Sequence, residues 1–114
     1  MPHFVIEYAR EVEQQIVLSE LLEITHQVGA SSVLMSPEDV KVRARPYDYY
    51  KMAGAEDTFV HTTIFLLEGR TDEQKEKLSN ILRSEQVKLM AGVTTISVDI
   101  RDMNDVTYKK RVLL

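Results

Sequence analysis

The stretch Thr58–Leu67, which reads TFVHTTIFLL, decides the fold of this chain. Its β-branched and aromatic residues are typical of a strand, and Gly69 marks the point where the strand ends. A second run rich in β-branched residues, Val93–Ile100, follows after a segment with helical spacing. The second half of the chain, residues 58–101, therefore predicts a β-α-β unit.

The helix between these two strands has clear start and stop signals. Thr71 and Gln74 stand three residues apart, a spacing that predicts a capping box, in which each side chain bonds the other residue's backbone. The helix is predicted to run to about Met90, with Gly92 closing it. Its candidate core positions are Leu78, Ile81, Leu82, Val87 and Leu89.

The first half of the chain repeats this pattern without repeating the residues. Residues 3–8 form a predicted strand, and a helix is predicted over roughly 19–30 with Ser19 as its N-cap. The segment 10–18 fits either an irregular loop or an early extension of that helix. Val40–Arg45 alternates apolar and basic residues, which predicts a strand with one polar face.

Two β-α-β repeats, residues 2–46 and 58–101, predict an α+β fold in a single domain over 1–114, with a C-terminal tail over 102–114. The repeats combine into one four-stranded mixed sheet with two helices on one face. The opposite face of the sheet then lacks cover. An apolar face left open in this way is usually buried in a symmetric oligomer, so we expect the chain to self-associate.

Composition excludes several classes of function. The 114 residues are 44% hydrophobic and carry a formal net charge of -4, which argues against nucleic acid as the main partner. The lack of cysteine removes disulfides, thiolate zinc sites and thiol nucleophiles. No apolar run approaches the ~20 residues that span a bilayer, and no secretory leader is evident, so we expect a cytoplasmic protein with no membrane partner. The histidines lack metal-type spacing, so no metal is expected.

Pro2 is the first candidate for chemistry. Removal of Met1 would leave a terminal secondary amine, a base found nowhere else in a polypeptide. The pKa of an α-amino group is about 7.7–8.0, and burial or nearby cations lower it toward the range that proton transfer needs. The alternative is that a small second residue only favours removal of the initiator methionine. If Met1 is retained, the Pro2 nitrogen is a tertiary amide and cannot act as a base.

A second candidate is the row of cations Lys41, Arg43 and Arg45, whose side chains point the same way along one strand. Either these cations converge on an anionic ligand or they form a solvated edge. The strand pattern alone favours the solvated edge. Together with Pro2 and Arg70, the row favours an anionic ligand.

Four segments carry a resemblance to a known family. Met1–Phe4, Lys41–Arg43, Tyr50–Ala53 and the span from Phe59 to Arg70 resemble the 5-carboxymethyl-2-hydroxymuconate isomerase family of the tautomerase superfamily. The resemblance implies a tautomerase/MIF-like homotrimer of β-α-β repeats, with active sites near subunit interfaces. It also implies catalysis by the terminal proline, without metal or organic cofactor.

The resemblance also implies roles for single residues. Pro2 matches the catalytic base, and Arg70 matches an arginine that binds a substrate carboxylate. Lys41 stands where the family has a second functional arginine, and it keeps the charge but loses the planar fork that fits a carboxylate. The remaining substrate-binding candidates are Arg43, which matches a neighbouring arginine, Arg45, an added cation, and Tyr50, which matches an aromatic residue and has packing as its alternative role.

The implied reaction is a cofactor-free isomerisation in the catabolism of aromatic acids. Its substrate is a carboxylated dienol such as 5-carboxymethyl-2-hydroxymuconate. Pro2 would move a proton between the 2-hydroxyl and a conjugated carbon. Two alternatives stay open, namely a tautomerase of another keto-enol acid and a non-catalytic trimeric binding or scaffold protein that retains the fold.

Overall fold

A computed structural model describes residues 2–113, so predictions that involve Met1 or Leu114 lie outside the described residues. None of the helices among these residues has both the length and the apolar character that crossing a membrane requires. The strands are β1 (His3–Ala9), β2 (Lys41–Tyr47), β3 (Phe59–Leu67) and β4 (Thr95–Met103), the α-helices are α1 (Leu18–Ser31) and α2 (Asp72–Leu89), and two short 3-10 helices span Arg10–Gln14 and Pro37–Asp39.

The four strands form one mixed sheet in the order β2-β1-β3-β4. Each β-α-β unit contributes a parallel pair, β1 with β2 and β3 with β4, and the two units join through the antiparallel pair of β1 and β3. His3 lies opposite Lys41 on one side and opposite Phe65 on the other. The predicted four-stranded mixed sheet is therefore confirmed.

Both helices cover the same face of the sheet. Along β1, every second residue from Phe4 to Tyr8 is buried, while the residues between them are half-buried. Phe4 shares one core cluster with Val28 of α1 and with Leu78 and Leu82 of α2. Successive side chains of a strand point to opposite faces, and both helices pack on the face that holds Phe4. The face that holds His3 therefore carries no helix, and we call it the open face.

The open face is mainly polar, which differs from the apolar face that the sequence argument expected. Strand pairing aligns the side chains of one face across the sheet, so the row through His3 and Glu7 of β1 continues onto its neighbours. His61 of β3 lies on this face, and its Nδ1 is 2.6 Å from Oγ of Ser97 on β4. Further polar residues of this face include Lys41, Arg43, Arg45, Thr63, Thr95, Asp99 and Arg101.

Helix boundaries follow the capping signals in one helix only. The predicted capping box begins α2, because Gln74 N–H donates to Thr71 Oγ1 at 3.1 Å and Thr71 N–H donates to Gln74 Oε1 at 2.9 Å. In α1 the N-cap residue is Val17 without a side-chain hydrogen bond, so Ser19 was wrongly predicted as the cap. The ambiguous segment before it forms a 3-10 helix whose Val12 is fully buried.

The buried face of α2 differs from the predicted one at two positions. Ile81 and Val87 are 44% and 46% exposed, so their prediction as core residues was wrong. The buried residues are Leu78, Leu82 and Gln86, spaced four apart. Gln86, a polar residue, therefore occupies the core position that was predicted for the apolar Val87.

Gln86 forms a buried polar cluster between the two helices and the sheet. Its Nε2 donates to Oγ1 of Thr25 on α1 at 3.3 Å and to Oγ1 of Thr62 on β3 at 3.1 Å. All three residues are fully buried. Within residues 2–113, Oε1 of Gln86 has no hydrogen-bond partner, so the free energy lost by removing this oxygen from water is not offset by a hydrogen bond.

We predict that removing one member of the cluster lowers the free energy of unfolding more than replacing all three polar residues by apolar ones. Thr62→Val deletes one acceptor of a buried amide and is expected to lower the free energy of unfolding by about 1–3 kcal/mol. The triple change Thr25→Val, Thr62→Val and Gln86→Met removes every buried polar partner and should return stability to within about 1 kcal/mol of wild type. Urea unfolding at one protein concentration measures both values.

Thr63→Val, one residue along β3 but on the open face, is the matched control and is expected to change stability by no more than about 0.5 kcal/mol. A triple variant less stable than Thr62→Val would contradict the prediction, because it would make the polar cluster a net source of stability.

Candidate active site

Pro2 lies at one end of the sheet. It is buried, and its carbonyl accepts a hydrogen bond from the backbone N–H of Lys41 at 3.2 Å. Because His3 pairs with both Lys41 and Phe65, this end contains the starts of β1 and β2 and the ends of β3 and β4. We call it the proline end.

Arg70 reaches the proline end from the side of the helices. Gly69, which precedes it, has a φ of 120°, a conformation that favours glycine and turns the chain directly after β3. The guanidinium Nη1 donates to the carbonyl of Leu67 at 3.0 Å, and Nη2 donates to the carbonyl of Leu34 at 2.6 Å. Leu34 packs against the core that the helices cover. A guanidinium has five N–H donors, so these two bonds hold its plane and leave other donors for a ligand.

Lys41 and Arg43 approach the same end from the open face. Lys41 Nζ donates to the backbone carbonyl of Asp39 at 3.3 Å, and Nη1 of Arg43 lies 3.1 Å from Nδ1 of His3. Arg45 faces the same way but lies opposite Glu7, about 13 Å along the strand from Lys41 at ~3.3 Å per residue. The structure therefore brings Lys41 and Arg43 to Pro2 and leaves Arg45 nearer the middle of the sheet.

The four predicted cations make no ion pair with any carboxylate among residues 2–113. Other cations of the chain do pair, such as Arg10 with Asp48 at 2.9 Å and Lys75 with Asp102 at 3.2 Å. Positive charge without a local carboxylate attracts anions. The proline end is thus suited to an anionic ligand.

His3 connects Arg43 to the C-terminal tail. Its Nε2 lies 2.9 Å from the hydroxyl of Tyr108, and the two rings meet edge to face with centroids 5.9 Å apart. Burial, followed by the charges of Arg43 and Lys41, lowers the pKa of His3 below its usual value. This shift favours the neutral form of the imidazole.

The sequence predicts neither His3 nor Tyr108 as a site residue. Two signals were present in the chain. His3 directly follows Pro2, and Tyr108 directly precedes the basic run Lys109, Lys110 and Arg111. Only the path of the tail in the folded chain shows that His3 and Tyr108 are in contact.

Tyr50 lies at the opposite end of the sheet. Its hydroxyl donates to Oε1 of Glu11 at 2.7 Å, and its ring packs edge to face on Phe59 with centroids 5.5 Å apart. The hydrogen bond to Glu11, followed by burial, raises the pKa of Tyr50. β1 alone spans about 20 Å at ~3.3 Å per residue, so Tyr50 and Pro2 of one chain are separated by that length. A role for Tyr50 beside Pro2 would need a second subunit and stays a prediction.

Two other features of the surface do not involve the predicted site residues. A groove of about 600 Å³ lies between α1 and α2. Its lining includes Ile24, Val33 and Ile81, together with Leu34, whose carbonyl binds Arg70, but it includes none of the predicted site residues. Residues 2–113 contain no group of three or more histidine, aspartate or glutamate side chains that could hold a metal ion.

Comparison with solved structures confirms the tautomerase/MIF-like fold. A 5-carboxymethyl-2-hydroxymuconate isomerase from Deinococcus radiodurans R1 has 21% sequence identity and a TM-score of 0.84, covering 96% of this chain and 88% of that chain. A W0 fused 4-OT wild-type symmetric trimer has 16% identity and a TM-score of 0.76, covering 96% and 93%. The macrophage migration inhibitory factor-like protein of Entamoeba histolytica has 11% identity and a TM-score of 0.71, covering 96% and 95%.

Comparison with sequences gives the family. No curated protein sequence matches this chain. The family model described as 5-carboxymethyl-2-hydroxymuconate isomerase matches residues 2–112, which is nearly the whole chain. The resemblance first seen in separate segments therefore extends from Pro2 into the tail, and the chain belongs to the 5-carboxymethyl-2-hydroxymuconate isomerase family, a family of isomerases.

Proposed function

We propose that this isomerase moves a proton within a carboxylated dienol such as 5-carboxymethyl-2-hydroxymuconate, with Pro2 as the base once Met1 is removed. One observation carries the proposal. Pro2 is buried at the same end of the sheet as Arg70, Lys41 and Arg43, and none of these cations pairs with a carboxylate among residues 2–113.

The proposed reaction is a proton transfer in two steps. The uncharged Pro2 amine takes the proton of the 2-hydroxyl, and the oxygen forms a carbonyl as the conjugated double bonds shift. The Pro2 ammonium then returns a proton to the distant carbon of the conjugated system. Atoms and charge balance without a redox partner, because one proton leaves oxygen and one arrives at carbon.

The cations would bind substrate and stabilise the charge that develops on it. Arg70 would hold a carboxylate from the helix side, while Lys41 and Arg43 would hold the other end of the dienol from the open face. Donors fixed in place before the reaction stabilise a developing dienolate oxygen at little cost of reorganisation. Cations and burial also disfavour an ammonium ion, which favours the basic form of Pro2.

We also propose that the protein is a homotrimer. We propose further that it is located in the cytoplasm and takes part in the catabolism of aromatic acids. The open face carries no helix in the described chain. The solved structure that is a symmetric trimer has the same fold. A second subunit would also allow Tyr50 of one chain to approach Pro2 of another.

A second candidate is a tautomerase of a smaller keto-enol acid with the same proline chemistry. The observation that favours it is Lys41, because a lysine presents a point charge where a guanidinium would bind a carboxylate through two parallel bonds. A substrate with fewer carboxylates needs fewer such forks.

We predict that Arg70→Ala lowers kcat/KM for 5-carboxymethyl-2-hydroxymuconate about 100-fold, because a charged carboxylate contact is lost. The ultraviolet change of the dienol measures the rate. Arg83→Ala, an arginine on α2 away from the proline end, is the matched control and should keep wild-type activity. Full activity in a folded Arg70→Ala protein would place Arg70 outside the site.

Lys41→Arg is expected to raise kcat/KM on the same substrate about 3–10-fold, since a planar fork then faces the carboxylate. Lys51→Arg, which adds a guanidinium near the other end of the sheet, controls for the change of residue type. An unchanged rate on this dienol, with a lowered rate on a smaller enol acid, would favour the second candidate.

The trimer is tested by light scattering coupled to gel filtration. A chain of 13.1 kDa predicts a particle of about 39 kDa, three times the chain mass, at micromolar concentration. A stable particle of one chain mass would contradict the proposed assembly and the delivery of Tyr50 from a neighbour.

A further inference from the structure

The tail after β4 turns back over the proline end. Oδ1 of Asn104 accepts hydrogen bonds from the backbone N–H of Val106 at 2.8 Å and of Thr107 at 3.3 Å, which closes a tight turn. The backbone N–H of Asp105 donates to Oε1 of Glu68, one residue beyond β3, at 3.1 Å. The turn is therefore fixed to the end of β3 and directs the following residues toward β1.

Two further contacts continue the path of the tail across the sheet. The hydroxyl of Tyr108 meets His3 of β1 at 2.9 Å, and Nζ of Lys110 lies 3.5 Å from Oδ1 of Asp39, just before β2. The tail thus runs from one edge strand to the other and passes the residue that follows Pro2. Tyr108 is half-buried there, while the residues on each side of it are exposed.

The direction of each hydrogen bond follows from chemistry. A guanidinium can only donate, so Arg43 donates to Nδ1 of His3, and that nitrogen carries no proton. The proton of the neutral imidazole is then on Nε2, which donates to the oxygen of Tyr108. The hydroxyl hydrogen of Tyr108 stays available, because no other partner within hydrogen-bond distance of this hydroxyl is found among residues 2–113.

We propose that Tyr108 is a substrate-binding residue, whose O–H donates to a carboxylate or enolate oxygen of the ligand at the proline end, and that His3 is its positioning residue. This inference rests on the proposed function, since it takes the ligand to be a carboxylated enol acid. His3 lies on the same face as Lys41 and Arg43, so the Tyr108 hydroxyl and both cations lie at the same end of this face.

The chain of donors from Arg43 through His3 strengthens the last donor. Hydrogen bonds in series polarise one another, and a cation at the start of the series makes the final O–H a better partner for an anion. A tyrosine held in this way also adds a ring as one wall of the site. Tyr108 would therefore discriminate in favour of ligands that place an oxygen at its hydroxyl.

The test compares Tyr108→Phe with wild type, because phenylalanine keeps the ring against His3 and removes only the O–H. We expect kcat/KM for 5-carboxymethyl-2-hydroxymuconate to fall about 10–100-fold. The affinity for adipate, an unreactive dicarboxylate, should fall about 5–10-fold by isothermal titration calorimetry. Val106→Ala, an exposed position in the same tail, is the control and should change neither value.

The positioning role of His3 is tested by a separate measurement. Nitrogen-15 shifts of the His3 ring should show an unprotonated Nδ1 and a protonated Nε2 at pH 7. His3→Gln, which keeps a side-chain N–H donor, should retain more of the adipate affinity than His3→Phe, which keeps only a ring. Equal losses in the two variants would overturn the positioning role.

The binding and rate measurements separate this inference from the proposed function. Weaker adipate binding by Tyr108→Phe, in a protein that isomerises no dienol, would support Tyr108 and contradict the proposed reaction. Equal kcat/KM and equal adipate affinity in Tyr108→Phe and wild type would overturn the inference and leave the reaction intact. Failure of wild type to bind adipate would also overturn it.

Discussion

The structure depends on the position of β1 at the centre of the sheet, where it pairs in parallel with β2 and antiparallel with β3. This pairing fixes both the core and the site. Every second side chain of β1 enters the core under the helices, beginning with Phe4. The residues between them, beginning with His3, lie on the open face beside the cations of β2. The start of this one strand therefore brings a buried Pro2, a neutral imidazole and two cations to the same end of the sheet.

Much of the fold could be predicted because its signals are local. Thr71 and Gln74 satisfy each other's backbone, so their spacing alone located the start of α2. The errors arose where tertiary contacts outweighed local signals. Ser19 resembles a cap, yet α1 begins one residue before it. Val87 is apolar and half-exposed, whereas Gln86 is fully buried because Thr25 and Thr62 bind its amide.

Local signals also predicted part of the geometry of the candidate site. Alternation along β2 correctly placed its cations on one face, and the resemblance named Pro2 and Arg70, which lie at the same end. Alternation does not give the register of β2 against β1, so the sequence could not show that Arg45 lies nearer the middle of the sheet. Tyr108 could not be connected with His3, because 105 residues separate them and only the path of the tail joins them. Contacts of this kind depend on the finished fold.

If the Pro2 amine is the base, dienol isomerisation requires a free N-terminal proline, so the rate should be measured as a function of the state of the N-terminus. Two preparations of the protein, one that has lost Met1 and one that retains it, are distinguished by mass spectrometry. We predict rapid ultraviolet conversion of 5-carboxymethyl-2-hydroxymuconate by the first preparation and none above background by the second, whose Pro2 nitrogen is an amide. Equal rates in the two preparations would contradict it.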